Sequence, residues 1–274
     1  MKNFHNKVAA ITGADSGIGR CLALELARRG CHLALSDVNE VGLAETAAQV
    51  KDVKVTTTRV NVADRVQVED WAQQVVADHG RVNLIFNNAG VALGSTVEGM
   101  SYADFEWLMG INFWGVVYGT KAFLPLLKAS GEGHIINTSS VFGLAGIPSQ
   151  SAYNAAKFAV RGFTESLRQE LDMQGAPVSA TSVHPGGIKT NIAKAARIDP
   201  SIASIGLDLE HGKEKFEKAF ITTPESAARK ILKAVRGNRR RVLVGPDAYL
   251  IDFMVRLMPS SYQRLSVFFA RRTM

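Results

Sequence analysis

Tyr153 and Lys157 stand four residues apart in Tyr153-Asn154-Ala155-Ala156-Lys157, at the start of a helical pattern. That spacing sets both side chains on one helix face, about one turn apart. A free phenol ionises near pH ~10 and a lysine ammonium near ~10.4. An ammonium beside the phenol favours phenolate. Bringing the phenol near neutrality takes about 4 kcal/mol, the order that one partly buried ammonium supplies. A tyrosine tuned in this way is a competent general acid and base. Alone, the pair also reads as an ordinary surface pair, so its company decides. Ser140 lies thirteen residues upstream, after the apolar run Ile135-Ile136-Asn137-Thr138. Its hydroxyl there could hold a substrate oxygen and support developing charge. Asn112 is a polar residue in the apolar helical run Ile111-Asn112-Phe113-Trp114-Gly115. A helix kink with a trapped water is its plainer reading.

A second group of residues has the types needed to hold a dinucleotide. Gly13, Asp15, Ser16, Gly17, Ile18 and Gly19 belong to Thr12-Gly13-Ala14-Asp15-Ser16-Gly17-Ile18-Gly19, between the first apolar run and the first helical pattern. Glycines allow a tight turn and close approach of backbone to a pyrophosphate. The helix that follows offers free N–H groups and a positive dipole end. The spacing is G-x-x-x-G-x-G and not the commoner G-x-G-x-x-G. Asp37 closes Leu35-Ser36-Asp37, where a carboxylate can accept from the ribose hydroxyls of adenosine and would repel a 2′-phosphate. No Arg or Lys flanks Asp37 and no basic residue precedes Gly17, so NAD is expected over NADP. Asp37 also reads as the N-cap of the next helix. Asn88, Ala89 and Gly90 end another apolar run, where small residues let a cofactor pass.

The elements that must position these residues alternate along the chain. Strand patterns fall at 8–11, 32–36, 53–60, 84–86, 134–138, 178–183 and 241–244. Helical patterns fall at 19–29, 40–50, 66–78, 102–128 and 152–174. Such alternation predicts an α/β fold, a doubly wound parallel sheet with helices on both faces. Sheets of this kind bind ligands outside the carboxyl ends of their strands, and every motif above falls at such an end. Residues 1–246 read as one cofactor-binding domain, with the irregular stretch 191–223 as a substrate lid and 247–274 as an apolar-basic helical extension.

Together, the T-G-x-x-x-G-x-G turn, Asn87-Asn88-Ala89-Gly90, Ser140 with Tyr-x-x-x-Lys, and Pro185-Gly186 resemble the short-chain dehydrogenase/reductase family. The likeness runs from about Lys7 to about Thr190 and more faintly to Val244. It implies a Rossmann-type fold of seven parallel strands and an NAD(H)-dependent oxidoreductase acting on an alcohol or ketone. It also implies a catalytic tetrad of Asn112, Ser140, Tyr153 and Lys157. Tyr153 would exchange a proton with the substrate oxygen, and Lys157 would bind the nicotinamide ribose and lower the tyrosine pKa. Ser140 would polarise the carbonyl, and Asn112 would hold a water linking Lys157 to solvent. Asn61-Val62 occupies the place where the family usually has Asp-Val beside adenine. Asn88, Ala89 and Gly90 would line the adenosine side. After Pro185-Gly186-Gly187, Ile188 and Thr190 would hold the carboxamide. His184, beside that turn, reads as a structural histidine.

Composition narrows the surroundings. The 274 residues are 46% apolar and 21% charged, ordinary globular usage. Cys21 and Cys31 cannot form a disulfide framework and read as buried thiols of a reducing cytosol. The short polar N-terminus is unlike a secretory signal. No Cys/His cluster has metal-ligand spacing, and no metal is expected. The formal net charge of +7 does not point to nucleic acid, for want of aromatic-basic interleaving. Three readings of the apolar-basic tail stay open: a subunit contact in a homodimer or homotetramer, a cover over a lipophilic substrate, or peripheral contact with an anionic membrane surface. Each is compatible with a hydrophobic substrate. The apolar neighbours Val141, Phe142, Leu144 and Leu93 favour one too.

Overall fold

The computed structural model describes residues 1–207 and 220–272. In chain order its first half runs β1 (Val8–Thr12), α1 (Gly17–Ala27), β2 (His32–Asp37), α2 (Glu40–Ala48), β3 (Val55–Arg59), α3 (Arg65–His79), β4 (Leu84–Asn87) and β5 (Leu93–Gly94). Then follow α4 (Tyr102–Met109), a π turn (Gly110–Trp114), α5 (Gly115–Ala129), β6 (Gly133–Thr138), a 3₁₀ turn (Val141–Gly143) and α6 (Ser151–Met173). The rest is β7 (Val178–Pro185), β8 (Arg197–Ile198), a second 3₁₀ turn (Pro200–Ile205), α7 (Pro224–Arg236), β9 (Arg241–Val244), α8 (Pro246–Leu257) and α9 (Tyr262–Arg272).

Seven strands form one all-parallel sheet in the order β3-β2-β1-β4-β6-β7-β9. The order reverses between β1 and β4, so the loops after those two strands open a crevice at the carboxyl edge. Strand residues alternate between the two faces. Ala9, Ile11, Leu84 and Phe86 pack on one side with Leu22 and Leu26 of α1 and Ile231 and Leu232 of α7. Val8, Ala10 and Ile85 pack on the other with Trp71, Phe123 and Leu167 of α3, α5 and α6. Both faces are covered, so β1 reads as an unbroken apolar run rather than an alternating one.

The structure departs from the sequence expectation at four places, one of them α7 (Pro224–Arg236), a stretch in which the sequence reading places no helix. The helix expected over 102–128 is two helices joined by a π turn, closed by the Gly115 amide on the Gly110 carbonyl. A π turn inserts one residue and rotates the face that follows; here it delivers Asn112 to the sheet edge. Two short strands, β5 and β8, pair parallel outside the main sheet, Leu93 opposite Arg197, and at two residues each they were too short to show a period. The N-cap of α2 is Asn39, which accepts from the Gly42 amide, and not Asp37. Part of the proposed lid, 208–219, lies outside the described residues.

Candidate active site

The carboxyl ends of β1, β4, β6 and β7 bring the predicted residues to one edge of the sheet. The turn after β1 is left-handed at Gly13, with φ 66°. A Cβ there would stand 2.8 Å from the Ala89 Cα, so the turn lies flat on the loop after β4. Asn88 holds the two loops together: its amide donates to the carbonyls of Thr12 and Gly13, both at 3.2 Å. The Thr12 hydroxyl accepts from the backbone amides of Asn88 and Ala89, both at 3.0 Å. Ser16 caps α1 by position, but its side chain makes no cap bond and donates instead to Asp15 at 2.8 Å. The first-turn amides of α1, at Gly17, Ile18 and Gly19, therefore lack a side-chain cap, as a site for phosphate requires. Thr190, after β7, lies against Gly17.

Asp37 ends β2 beside this turn. One carboxylate oxygen accepts from the Asn39 amide at 3.0 Å and the other from the Asp15 amide at 3.3 Å. Burial pushes the Asp37 carboxyl above its usual range, and the neighbouring carboxylate of Asp15 pushes the same way. Arg20 lies near but is engaged with the Asp15 carbonyl, the Thr46 hydroxyl and Glu45. Sequence adjacency missed one cation: Arg59 on β3 is the register partner of Asp37. Asn61 is exposed and Val62 buried. The Asn61 amide oxygen accepts from the Ala63 amide at 3.1 Å and keeps a second lone pair.

Tyr153 and Lys157 occupy the first two turns of α6. The Lys157 ammonium lies 5.6 Å from the Tyr153 ring centroid and donates to the Thr138 carbonyl at 3.0 Å. The Ser140 side chain, whose hydroxyl accepts from the Phe142 amide at 3.1 Å, neighbours the Tyr153 hydroxyl and favours its ionised form. A Cβ at Gly90 would stand 3.2 Å from Asn112 Oδ1 and 3.6 Å from Lys157 Nζ, which places these two side chains against the loop after β4. Both ends of the Asn112 amide bind Val91, accepting from its N–H and donating to its carbonyl at 2.8 Å each. One lone pair and one N–H remain for water.

Burial dominates the electrostatics. It pushes the Tyr153 phenol up to about 12, opposed by the neighbouring Ser140 side chain. It pushes the Lys157 ammonium down to about 8. Within the chain's own groups, then, desolvation sets the phenol high, and the lowering by Lys157 that the spacing predicts is not among its causes. The ring of Tyr153 stands in an apolar wall that includes Leu93, Leu108, Phe105 and Met109, and Phe142 meets it edge-on at 5.9 Å.

Four further residues shape the site and carry little sequence signal. Asn154 clamps the segment after Ser140: it donates to the carbonyls of Phe142 and Ala145 and accepts from the Ile147 amide. Fully buried His184 stands 3.1 Å from the Ser140 carbonyl through Nδ1 and 3.0 Å from the Ser182 hydroxyl through Nε2. A carbonyl only accepts, so Nδ1 carries the proton and Ser182 donates to Nε2. Asp247, at the start of α8, accepts from the Gly187 amide at 2.6 Å in the turn after Pro185 and Gly186. Ile188 in that turn turns its side chain into the core. Tyr262 of α9 accepts from the Gly146 amide. The i, i+4 spacing of Tyr153 and Lys157 spans Asn154 and could have drawn attention to it; the other three come from distant elements.

A parallel sheet with its glycine turn, uncapped helix N-terminus and terminal Asp defines a nucleotide-binding oxidoreductase fold. The family model described as short chain dehydrogenase matches residues 7–201, and the chain belongs to the short-chain dehydrogenase/reductase family. A Mycobacterium tuberculosis protein named as an oxidoreductase, SadH, is 49% identical over 268 residues, covering 97% of this chain and 95% of that protein. A short-chain dehydrogenase/reductase from Burkholderia phymatum, solved in complex with NAD, superposes with TM-score 0.87 at 31% identity over 97% of both chains. An alcohol dehydrogenase from Thermococcus sibiricus, solved with 5-hydroxy-NADP, superposes with TM-score 0.72 at 26% identity, covering 87% of this chain and 95% of that one.

Proposed function

We propose that the protein exchanges a hydride between NAD(H) and a hydrophobic alcohol or ketone, with Tyr153 as general acid and base. The observation that carries this reading is the buried ammonium of Lys157 standing 5.6 Å from the Tyr153 ring centroid, with buried Ser140 as the phenol's neighbour. When bound, NAD(H) supplies or accepts the hydride. The residues that would hold it are the Gly13–Gly19 turn, Asp37, Asn61, Val62, the 88–90 loop, Lys157, and the 185–190 turn with the backbone of Ile188 and Thr190. They fit a dinucleotide because the α1 N-terminus is uncapped and the flat Gly13 turn leaves no side chain in the way.

In alcohol oxidation, the Tyr153 oxygen takes the hydroxyl proton while Ser140 donates to the substrate oxygen. In ketone reduction, the Tyr153 hydroxyl returns that proton to the oxygen as it gains charge. Lys157, charged below about pH 8, favours phenolate by its proximity. Asn112 completes the path from Lys157 to solvent through a water. The carboxylates of Asp37 and Asp15 at the ribose end support NAD over NADP, since a 2′-phosphate would meet two negative charges. The apolar wall at Tyr153 supports an apolar substrate.

The test is a screen of long-chain, steroid-like and small secondary alcohols with NAD, read by NADH absorbance. Tyr153→Phe should reduce turnover to background with the fold intact; normal rates in that variant would sink the mechanism.

A further inference from the structure

The two C-terminal helices have faces of opposite character. Inward, Ala248 and Ile251 of α8 join Val141, Leu144 and Leu243 beneath the segment that follows Ser140, and Tyr262 of α9 is buried. Outward, Leu250, Phe253 and Leu257 of α8 are 68%, 62% and 64% exposed. Their spacing forms one stripe along the helix. Val267, Phe268 and Phe269 of α9 are exposed as well. Isolated exposed apolar residues are ordinary, but stripes on two successive helices mark an interaction surface.

Charge identifies the partner. From Phe253 to Met274 the chain has no Asp or Glu and four arginines, Arg256, Arg264, Arg271 and Arg272. The two acids at the root of the segment are engaged within the fold. Asp247 accepts from the Gly187 amide, and Asp252, little exposed, pairs with Arg241 and Arg256. Among the described residues, the outward surface of the two helices therefore combines Leu and Phe with Arg264, and the segment's two acids are engaged elsewhere. A second copy meeting this face through a two-fold axis would offer the exposed Arg264 no carboxylate from the same segment. An anionic lipid surface answers both features, accepting the apolar side chains at the acyl boundary and the guanidinium groups at its phosphates. Among the described residues no helix is long and apolar enough to cross a membrane.

We infer that the outward face of α8 and α9 seats the protein on an anionic bilayer, lying in the interface rather than spanning it. The inward faces of the same helices hold the segment after Ser140, so docking places the apolar side of the site next to the lipid. The inference rests on the tail's surface and stands independently of the reaction assigned above.

The experiment is co-sedimentation of the full chain with vesicles of phosphatidylcholine alone or in equal parts with phosphatidylglycerol, with mass by light scattering in parallel. The expected result is sedimentation with the anionic vesicles only, weakened by salt. Arg264→Gln should lower the partition coefficient about fivefold. The triple variant Leu250→Ser, Phe253→Ser, Leu257→Ser should lose sedimentation while keeping its melting temperature. Arg264→Gln alone serves as the test should the triple variant fold poorly. Absence of sedimentation with anionic vesicles, or equal sedimentation of wild type and Arg264→Gln, overturns the inference. So does a drop in mass of the triple variant with no vesicle binding by the wild type, which would make the face a subunit contact.

Discussion

The Tyr262 hydroxyl accepts a hydrogen bond from the Gly146 amide at 2.9 Å, tying the last helix to the segment that follows Ser140. Asn154 holds the same segment from α6 through three hydrogen bonds. The wall of the site thus hangs between a residue inside the Tyr-x-x-x-Lys motif and one more than a hundred positions later. Tyr262→Phe removes one oxygen and leaves the Gly146 amide without its acceptor, at a cost of about 1 kcal/mol. Melting should fall by about 2 °C in a chain of this size. The KM for an apolar alcohol should rise more than kcat falls, because the segment loosens while Tyr153 and Lys157 keep their places. Steady-state kinetics on purified enzyme, with calorimetry, check both.

Alcohol oxidation needs Tyr153 as a base. Burial holds its phenol up at about 12, with the neighbouring Ser140 side chain pulling the other way. Oxidation should therefore accelerate as pH rises, and Ser140→Ala should move the rising limb to higher pH. The same change should lower kcat/KM by about 10²-fold through loss of the donor to the substrate oxygen. A pH–rate profile of kcat/KM for wild type and variant reads both effects. An unmoved limb would remove Ser140 from the tuning of Tyr153.

Asp37 and Arg59 are register partners on adjacent parallel strands, so their side chains leave the same face of the sheet. Removing the carboxylate should do more than weaken NAD: it should uncover a cation for a 2′-phosphate. Asp37→Ala should reduce the NAD:NADP ratio of kcat/KM about tenfold or more, the worth of charge-assisted hydrogen bonds to the ribose. Adding Arg59→Ala should withdraw the gain with NADP and leave the loss with NAD. Equal use of both cofactors by the unmutated enzyme would refute the NAD preference.

Burial lowers the His184 pKa from 6.5 to about 4. Below pH 6.5 the unfolded chain binds a proton at this histidine that the folded chain refuses, so stability falls as pH drops. The loss begins near 6.5, is complete below about 4, and amounts to on the order of 3 kcal/mol. Replacing His184 with Asn should flatten this part of the acid limb in denaturant melts between pH 7 and 4. His134, lowered to about 3 by burial, should keep the remainder steep.

Local chemistry carries most of what the sequence by itself determined. Val8 to Ile11 reads as a buried strand, because a short unbroken apolar run before a glycine turn fits a strand covered on both faces. Gly13 to Gly19 specifies a turn into a helix N-terminus, because glycine permits the left-handed backbone that Gly13 adopts. Tyr153 and Lys157 share a face by helix periodicity alone. What only the tertiary structure decided is which distant residues meet these. The one-residue insertion at Gly110–Trp114 accompanies the reach of Asn112 to Val91, a contact that no helical period announces. Arg59 lies beside Asp37 only because β2 and β3 pair in one register. His184, Asp247 and Tyr262 reach the loops around the site from β7, α8 and α9, across separations that hydrophobic pattern does not encode. Even the tail, whose apolar and basic composition is plain in the sequence, acquired an inside and an outside only when Ala248, Ile251 and Tyr262 were packed. Periodicity reports which residues share a face of one element; it takes the packing of several elements to determine what that face meets.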